Sequence, residues 1–186
     1  MLVNNRSARE RPEFVKAELA RLEKLGCIVK VSQRPRVVNP MSVVYSNKWR
    51  LVLDGSRGLN PYCTARRTRL EDLSHIGRTV RKGDFMVVND HDSGYWYVSV
   101  GFRLSFILCL YRHVPIAEDH WTYLGIHFVD KEGETVFYVW KVLVLGLRDA
   151  AYIYTRINRS IMGALRKEGI RSLIYIGAIL VFGLCF

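Results

Sequence analysis

The chain has 186 residues, 49% hydrophobic and 24% charged, with a formal charge of +11, a balance that suits a folded core and excludes a disordered polyelectrolyte. The excess charge is uneven: residues 1–82 hold 18 Lys and Arg against 7 Asp and Glu, whereas residues 83–186 hold 10 of each. Such a basic half fits a polyanionic partner, because each neutralised phosphate releases condensed counterions.

In chain order, Met1 to Arg6 lacks the apolar core of a signal peptide, so an intracellular chain is expected. From Arg11 to Leu25, Phe14, Leu19, Leu22 and Leu25 recur at helical spacing, with Pro12 suited to the first turn and Gly26 to the stop. Cys27 to Val31 reads as a strand, and Ser32 to Pro40 as a loop. Met41 to Tyr45 and Trp49 to Asp54, parted by Ser46-Asn47-Lys48, predict a β-hairpin. Gly55 to Arg69 is a basic loop in which Arg57, Arg66, Arg67 and Arg69 are interleaved with Tyr62, the mixture that phosphate contact and base stacking use.

The apolar run Phe85-Met86-Val87-Val88 predicts a short buried strand, followed by Asn89-Asp90-His91-Asp92-Ser93-Gly94-Tyr95 where that strand would emerge from a sheet. A carboxylate at Asp90 would suit a hard divalent cation, which prefers oxygen ligands, and the Ser93-Gly94 turn would present amides to phosphate. Further on come a helical turn at Ala117 to Trp121, strands over Leu124–Val129 and Val136–Leu145 joined by Asp130-Lys131-Glu132-Gly133, and a helix from about Asp149 to Lys167. Tyr154, Ile157, Ile161 and Leu165 share a face of that helix. Ser172 to Val181 reads as a strand or hairpin. The longest uncharged apolar run, Leu173 to Phe186, has 14 residues, short of the roughly 18 to 20 that span a bilayer, so no membrane partner is expected. Cys27, Cys63, Cys109 and Cys185 form no Cys-x-x-Cys pair and read as reduced thiols. The order of elements predicts an α+β fold, one sheet with helices packed on one side.

Several ordered motifs together resemble a reverse transcriptase. Asp90-His91-Asp92-Ser93-Gly94-Tyr95 is similar to the first catalytic motif of the palm, and Leu145-Gly146-Leu147 with Ala150-Ala151 and Tyr154 to the second. Trp49 to Asp54 and Leu59-Asn60 resemble the fingers hairpin, and Leu22 to Ile28 the helix that opens the domain. His113 to Gly125 looks most like the retrotransposons that carry a tyrosine recombinase, the DIRS-like and Ngaro-like elements. The resemblance implies fingers over residues 1–82, a palm with an antiparallel sheet backed by helices over 83–186, an RNA or DNA template-primer and deoxynucleoside triphosphate as partners, and Mg²⁺ as cofactor. It also implies roles. Asp90 and the His91 backbone carbonyl would bind metal; Ser93, Gly94 and Tyr95 would meet the triphosphate and sugar; Arg50 would clamp phosphate; and Gly146 would let the chain approach the nucleotide. Arg57, Arg66, Arg67 and Arg69 would meet nucleic acid.

The sequence departs from that family in three places. The third motif, Tyr-x-Asp-Asp, is Tyr175-Ile176-Gly177-Ala178, so the two partner aspartates are replaced by Gly177 and Ala178. Tyr97 to Arg112 is an insertion between Trp96 and His113. The third is at Phe186, where the sequence ends just after the third motif, so no thumb is expected. Two ions held about 3.5–4 Å apart need more anionic charge than one aspartate supplies, so the expectation is a fragment without polymerase activity. The alternative is a nucleic-acid-binding remnant or a decayed gene product. The seven-residue recurrence of His113, His120 and His127 fits no short zinc signature.

Overall fold

The computed structural model of the protein describes residues 2–64, 66–90, 114–175 and 178–184. In chain order its elements are α1 (Arg6–Arg9), α2 (Pro12–Lys24), β1 (Ile28–Val31), β2 (Met41–Tyr45), β3 (Trp49–Leu53), α3 (Ile76–Thr79), β4 (Asp84–Asp90), β5 (Gly125–Val129), β6 (Thr135–Trp140), α4 (Ala150–Lys167), β7 (Arg171–Tyr175) and β8 (Ala178–Leu184). Helices and antiparallel strands are mixed, an α+β architecture. Among the described residues the strands make three small sheets, β1-β6-β5, β2-β3 and β4-β8-β7, rather than the single sheet expected. Short hairpins pair most readily within themselves, and among the described residues β2 and β3 pair only with each other. The chain divides into two compact units, Met1–Ala65 with His113–Ala150, and Arg66–Arg112 with Ala151–Phe186. Residues 66–82, grouped with the amino-terminal half by charge, thus belong to the second unit.

In the first unit, Pro12 opens α2, where its missing N–H costs nothing, and Gly26 closes it at φ +71°, a conformation that side chains with a Cβ resist. The buried stripe is Val15, Leu19 and Leu22. Phe14 is only half-buried and Leu25 is exposed, so the face is rotated from the one predicted. A helix turns about 100° per residue, and a one-position shift is enough to do this. β6 lies between β1 and β5, pairing Ile28 with Trp140 and Gly125 with Val139. The β5–β6 turn closes where Asp130 Oδ1 accepts the Glu134 amide at 2.8 Å and Gly133 adopts φ +84°. β6 stops at Trp140, short of the predicted Leu145. Val142, Leu143 and Val144 are still buried, and the Leu143 amide donates to the Val114 carbonyl instead of continuing the ladder. Asn39, wholly buried, donates to the carbonyls of Tyr123 and Gly125 and accepts the Leu59 amide, tying the loop after β3 to the sheet.

In the second unit, β8 is central, with β4 and β7 at the edges. Met162 of α4 packs with Ile174 of β7 and Ile179 of β8, flanked by Ile161, Leu165 and Val181. The deepest residues of α4 are Tyr154, Asn158 and Met162, not the predicted Tyr154-Ile157-Ile161-Leu165 row. Asn158 tolerates burial because its Nδ2 donates to the Tyr154 carbonyl one turn back. Glu71 accepts two bonds from the Arg166 guanidinium, at 2.9 and 2.8 Å, and one from the Ile174 amide. Arg171 grips Asp84 at the start of β4 through both terminal nitrogens.

β4 corrects one expectation outright. Phe85, Met86, Val87 and Val88 are 57–64% exposed, so this is not a buried strand. Alternate residues of a strand face opposite sides. Exposure of four in succession therefore means that neither face of β4 is buried, and among the described residues β8 is its one strand partner.

Candidate functional site

The candidate residues fall into both units. In the first, Arg50 lies on β3 opposite Val44, exposed, with Nη2 3.4 Å from the Asn47 Oδ1 at the hairpin turn. Arg57 is tied back: its Nη2 donates to Asn5 Oδ1 at 2.6 Å, and the Asp54 carboxylate lies 4.0 Å away. Asp54 accepts from Ser56 and Asn5 side chains, and these bonds hold its carboxyl below the usual value. Tyr62, beside the basic loop, is 85% exposed.

Gly146 has a geometric role that the sequence alone does not disclose. Its φ is +105°, and a Cβ there would sit 1.7 Å from the carbonyl oxygen of Leu53 on β3, whose amide donates to the Leu145 carbonyl. Asn60 then clamps the same turn: Nδ2 donates to the Gly146 carbonyl and Oδ1 accepts the Arg148 amide, both at 2.8 Å. Arg148 reaches back to the carbonyls of Asn60 and Cys63. The fingers-like segment and the Leu-Gly-Leu segment, 86 residues apart, are thus held together by reciprocal bonds.

In the second unit, the register sets Asp90 of β4 opposite Ala178 of β8, and Ala178 opposite Tyr175 of β7. Asp90, Ala178 and Tyr175 therefore occupy paired positions on three neighbouring strands. His91, Asp92, Ser93, Gly94, Tyr95, the 97–112 insertion and Gly177 lie outside the described residues. Among the described residues, no group of three His, Cys, Asp or Glu side chains converges as metal ligands would.

Arg66, Arg67 and Arg69 meet a partner that the sequence pattern did not mark. An open groove of about 420 Å³ runs between the 67–69 segment and the face of α4 that carries Tyr152, Thr155, Arg156, Arg159 and Ser160. The Arg66 guanidinium lies over the Tyr152 ring at 5.4 Å and that of Arg156 at 5.9 Å. Arg156 Nη1 donates to the Tyr152 hydroxyl at 3.1 Å, and Arg159 donates to the Arg69 carbonyl. The Arg156 bond, with Arg66 adding to it, holds the Tyr152 hydroxyl below the ordinary tyrosine value. Thr155 is buried, and its Oγ1 has no hydrogen-bond partner among the described residues. The clue was present: Tyr152, Arg156 and Arg159 recur at i, i+4 and i+7, which aligns them on one side of a helix.

Scans of the chain against protein-family models and against curated proteins find no match.

Proposed function

We propose that the chain is a fingers-and-palm fragment of a retroelement reverse transcriptase that has lost nucleotidyl transfer and keeps the capacity to hold nucleic acid. The observation that supports this reading is the strand register: Asp90, which opens the segment resembling the first catalytic motif, pairs with Ala178, which closes the segment resembling the third, although the two are far apart in sequence. The Asn60 clamp adds support, because it joins the two other segments that carry the resemblance. The donor set does not fit a pair of divalent ions. Position 178 offers a methyl group and position 177 none, where the family's chemistry calls for carboxylate oxygens. No catalytic step is therefore assigned to Mg²⁺ here.

Primer extension tests this reading. The chain is incubated with an RNA or DNA template-primer, deoxynucleoside triphosphates and Mg²⁺ or Mn²⁺, beside a Gly177→Asp, Ala178→Asp variant lacking residues 97–112. The unmodified chain is expected to add no nucleotide while still shifting the template-primer in a salt-sensitive gel assay. Extension by the unmodified chain would overturn the loss of activity, and absence of any shift would overturn the nucleic-acid-holding role.

A further inference from the structure

We infer that the outer face of α4, with the 66–69 segment opposite it, is a binding groove for the phosphodiester backbone of single-stranded nucleic acid, and that Arg156 and Arg159 are its principal contacts. This deepens the nucleic-acid-holding part of the reading above and rests on it, but it needs neither metal nor catalysis. Among the described residues, four arginines, Arg67, Arg69, Arg156 and Arg159, line the groove and no acidic residue does. The Glu71 carboxylate, which feels the charge of Arg159, has both oxygens bonded to Arg166. A guanidinium carries five N–H donors. One internal bond each, to the Tyr152 hydroxyl and the Arg69 carbonyl, fixes Arg156 and Arg159 in place and leaves most of their donors for a ligand.

The shape of the site selects a strand over a small anion. From Tyr152 to Ser160 the helix advances eight residues, about 12 Å at 1.5 Å per residue. Each strand of a duplex carries one phosphate per about 3.4 Å of helix axis, and the backbone of an extended single strand sets its phosphates farther apart than that rise. The groove thus has room for consecutive phosphates, and one inorganic phosphate would leave most of its arginines unused. Planar guanidinium forks match phosphate oxygens bidentately, which an ammonium cannot do.

The test is fluorescence anisotropy of a labelled 15-nucleotide oligothymidylate titrated with the full chain in EDTA, across a series of salt concentrations. R156Q/R159Q is expected to bind at least tenfold more weakly, with its log–log salt slope reduced by about 1.4, two contacts at about 0.7 each for single strands. R156K/R159K, which keeps the charge without the fork, should recover the salt slope while still binding more weakly than the unmodified chain. The charge-matched pair R9Q/K16Q, exposed in the first unit, should weaken binding less than threefold. A 4-thiouridine oligonucleotide photocrosslinked to the unmodified chain should label peptides spanning 66–71 and 150–160, and this needs no variant to fold. Equal losses in the two charge-matched pairs, crosslinks confined to other peptides, or tighter capture of a heparin fragment than of the oligonucleotide would each overturn the inference. Because divalent ions are absent, a negative result here differs from an unexpected positive in primer extension, which bears on the catalytic residues instead.

Discussion

Replacing Gly146 by alanine should be among the most damaging single-methyl additions in the first unit. The new Cβ would lie 1.7 Å from the Leu53 oxygen and 2.8 Å from the Leu53 carbonyl carbon, and both atoms belong to strand backbone that cannot rotate away. An L-residue at positive φ costs about 1–2 kcal/mol, and overpacking adds about 1–3 kcal/mol. Together roughly 2–5 kcal/mol would be lost from the ~5–15 kcal/mol that holds a typical domain. Gly133→Ala is the control, since Gly133 has φ +84° with open space where its Cβ would go, so it should show the backbone strain alone. Urea unfolding followed by tryptophan fluorescence gives both values on one scale. If Gly146→Ala costs no more than Gly133→Ala, the close approach to Leu53 is not what the glycine serves.

The remaining expectations concern charge and burial. Glu71→Gln should lower stability by about 2 kcal/mol in the same assay, because a charged acceptor shared by Arg166 and the Ile174 amide is lost. Arg171 holds the Asp84 carboxyl at about 2. A depressed carboxyl stabilises in full above its unfolded value, near 3.9, and loses that contribution as pH falls toward the folded one. The urea midpoint should therefore drop between about pH 4 and pH 2, and Asp84→Asn should lose part of that drop. His127 behaves in the opposite chemical sense. Burial holds its imidazole below the ordinary value, so the unfolded chain takes up the proton first and stability declines as pH falls through about 6.5. His127→Leu should flatten that decline. Leu22, fully buried on α2, should cost roughly 2–5 kcal/mol on truncation to alanine.

Where a local signal decides an element, the sequence was readable. Pro12 and Gly26 bracket α2, Ser46-Asn47-Lys48 breaks β2 from β3, Gly133 turns β5 into β6, and Gly169 at φ +80° follows α4. Which side of an element is buried was less readable, because that depends on partners distant in the chain. Val15 displaces Phe14 on α2, and Asn158 takes a buried place on α4 that a hydropathy pattern assigns to solvent. β4 shows the limit most clearly, since an apolar run fits a covered central strand and an open edge equally well. At the candidate site, the bonds between Asn60 and the 146–148 turn join segments whose relation no local pattern carries. The arginine face of α4 was visible in spacing, but its opposite wall is irregular chain.

The two units are interleaved, each assembled from two stretches of chain with a stretch of the other between them. β1 finds its partner only when β6 has been made, with Ile28 waiting for Trp140. On the ribosome neither unit can close before its second stretch emerges, and closing such long loops carries an entropic cost that local helices escape. No single cut of the polypeptide yields one self-contained half, so dissecting this molecule calls for point substitutions rather than truncations.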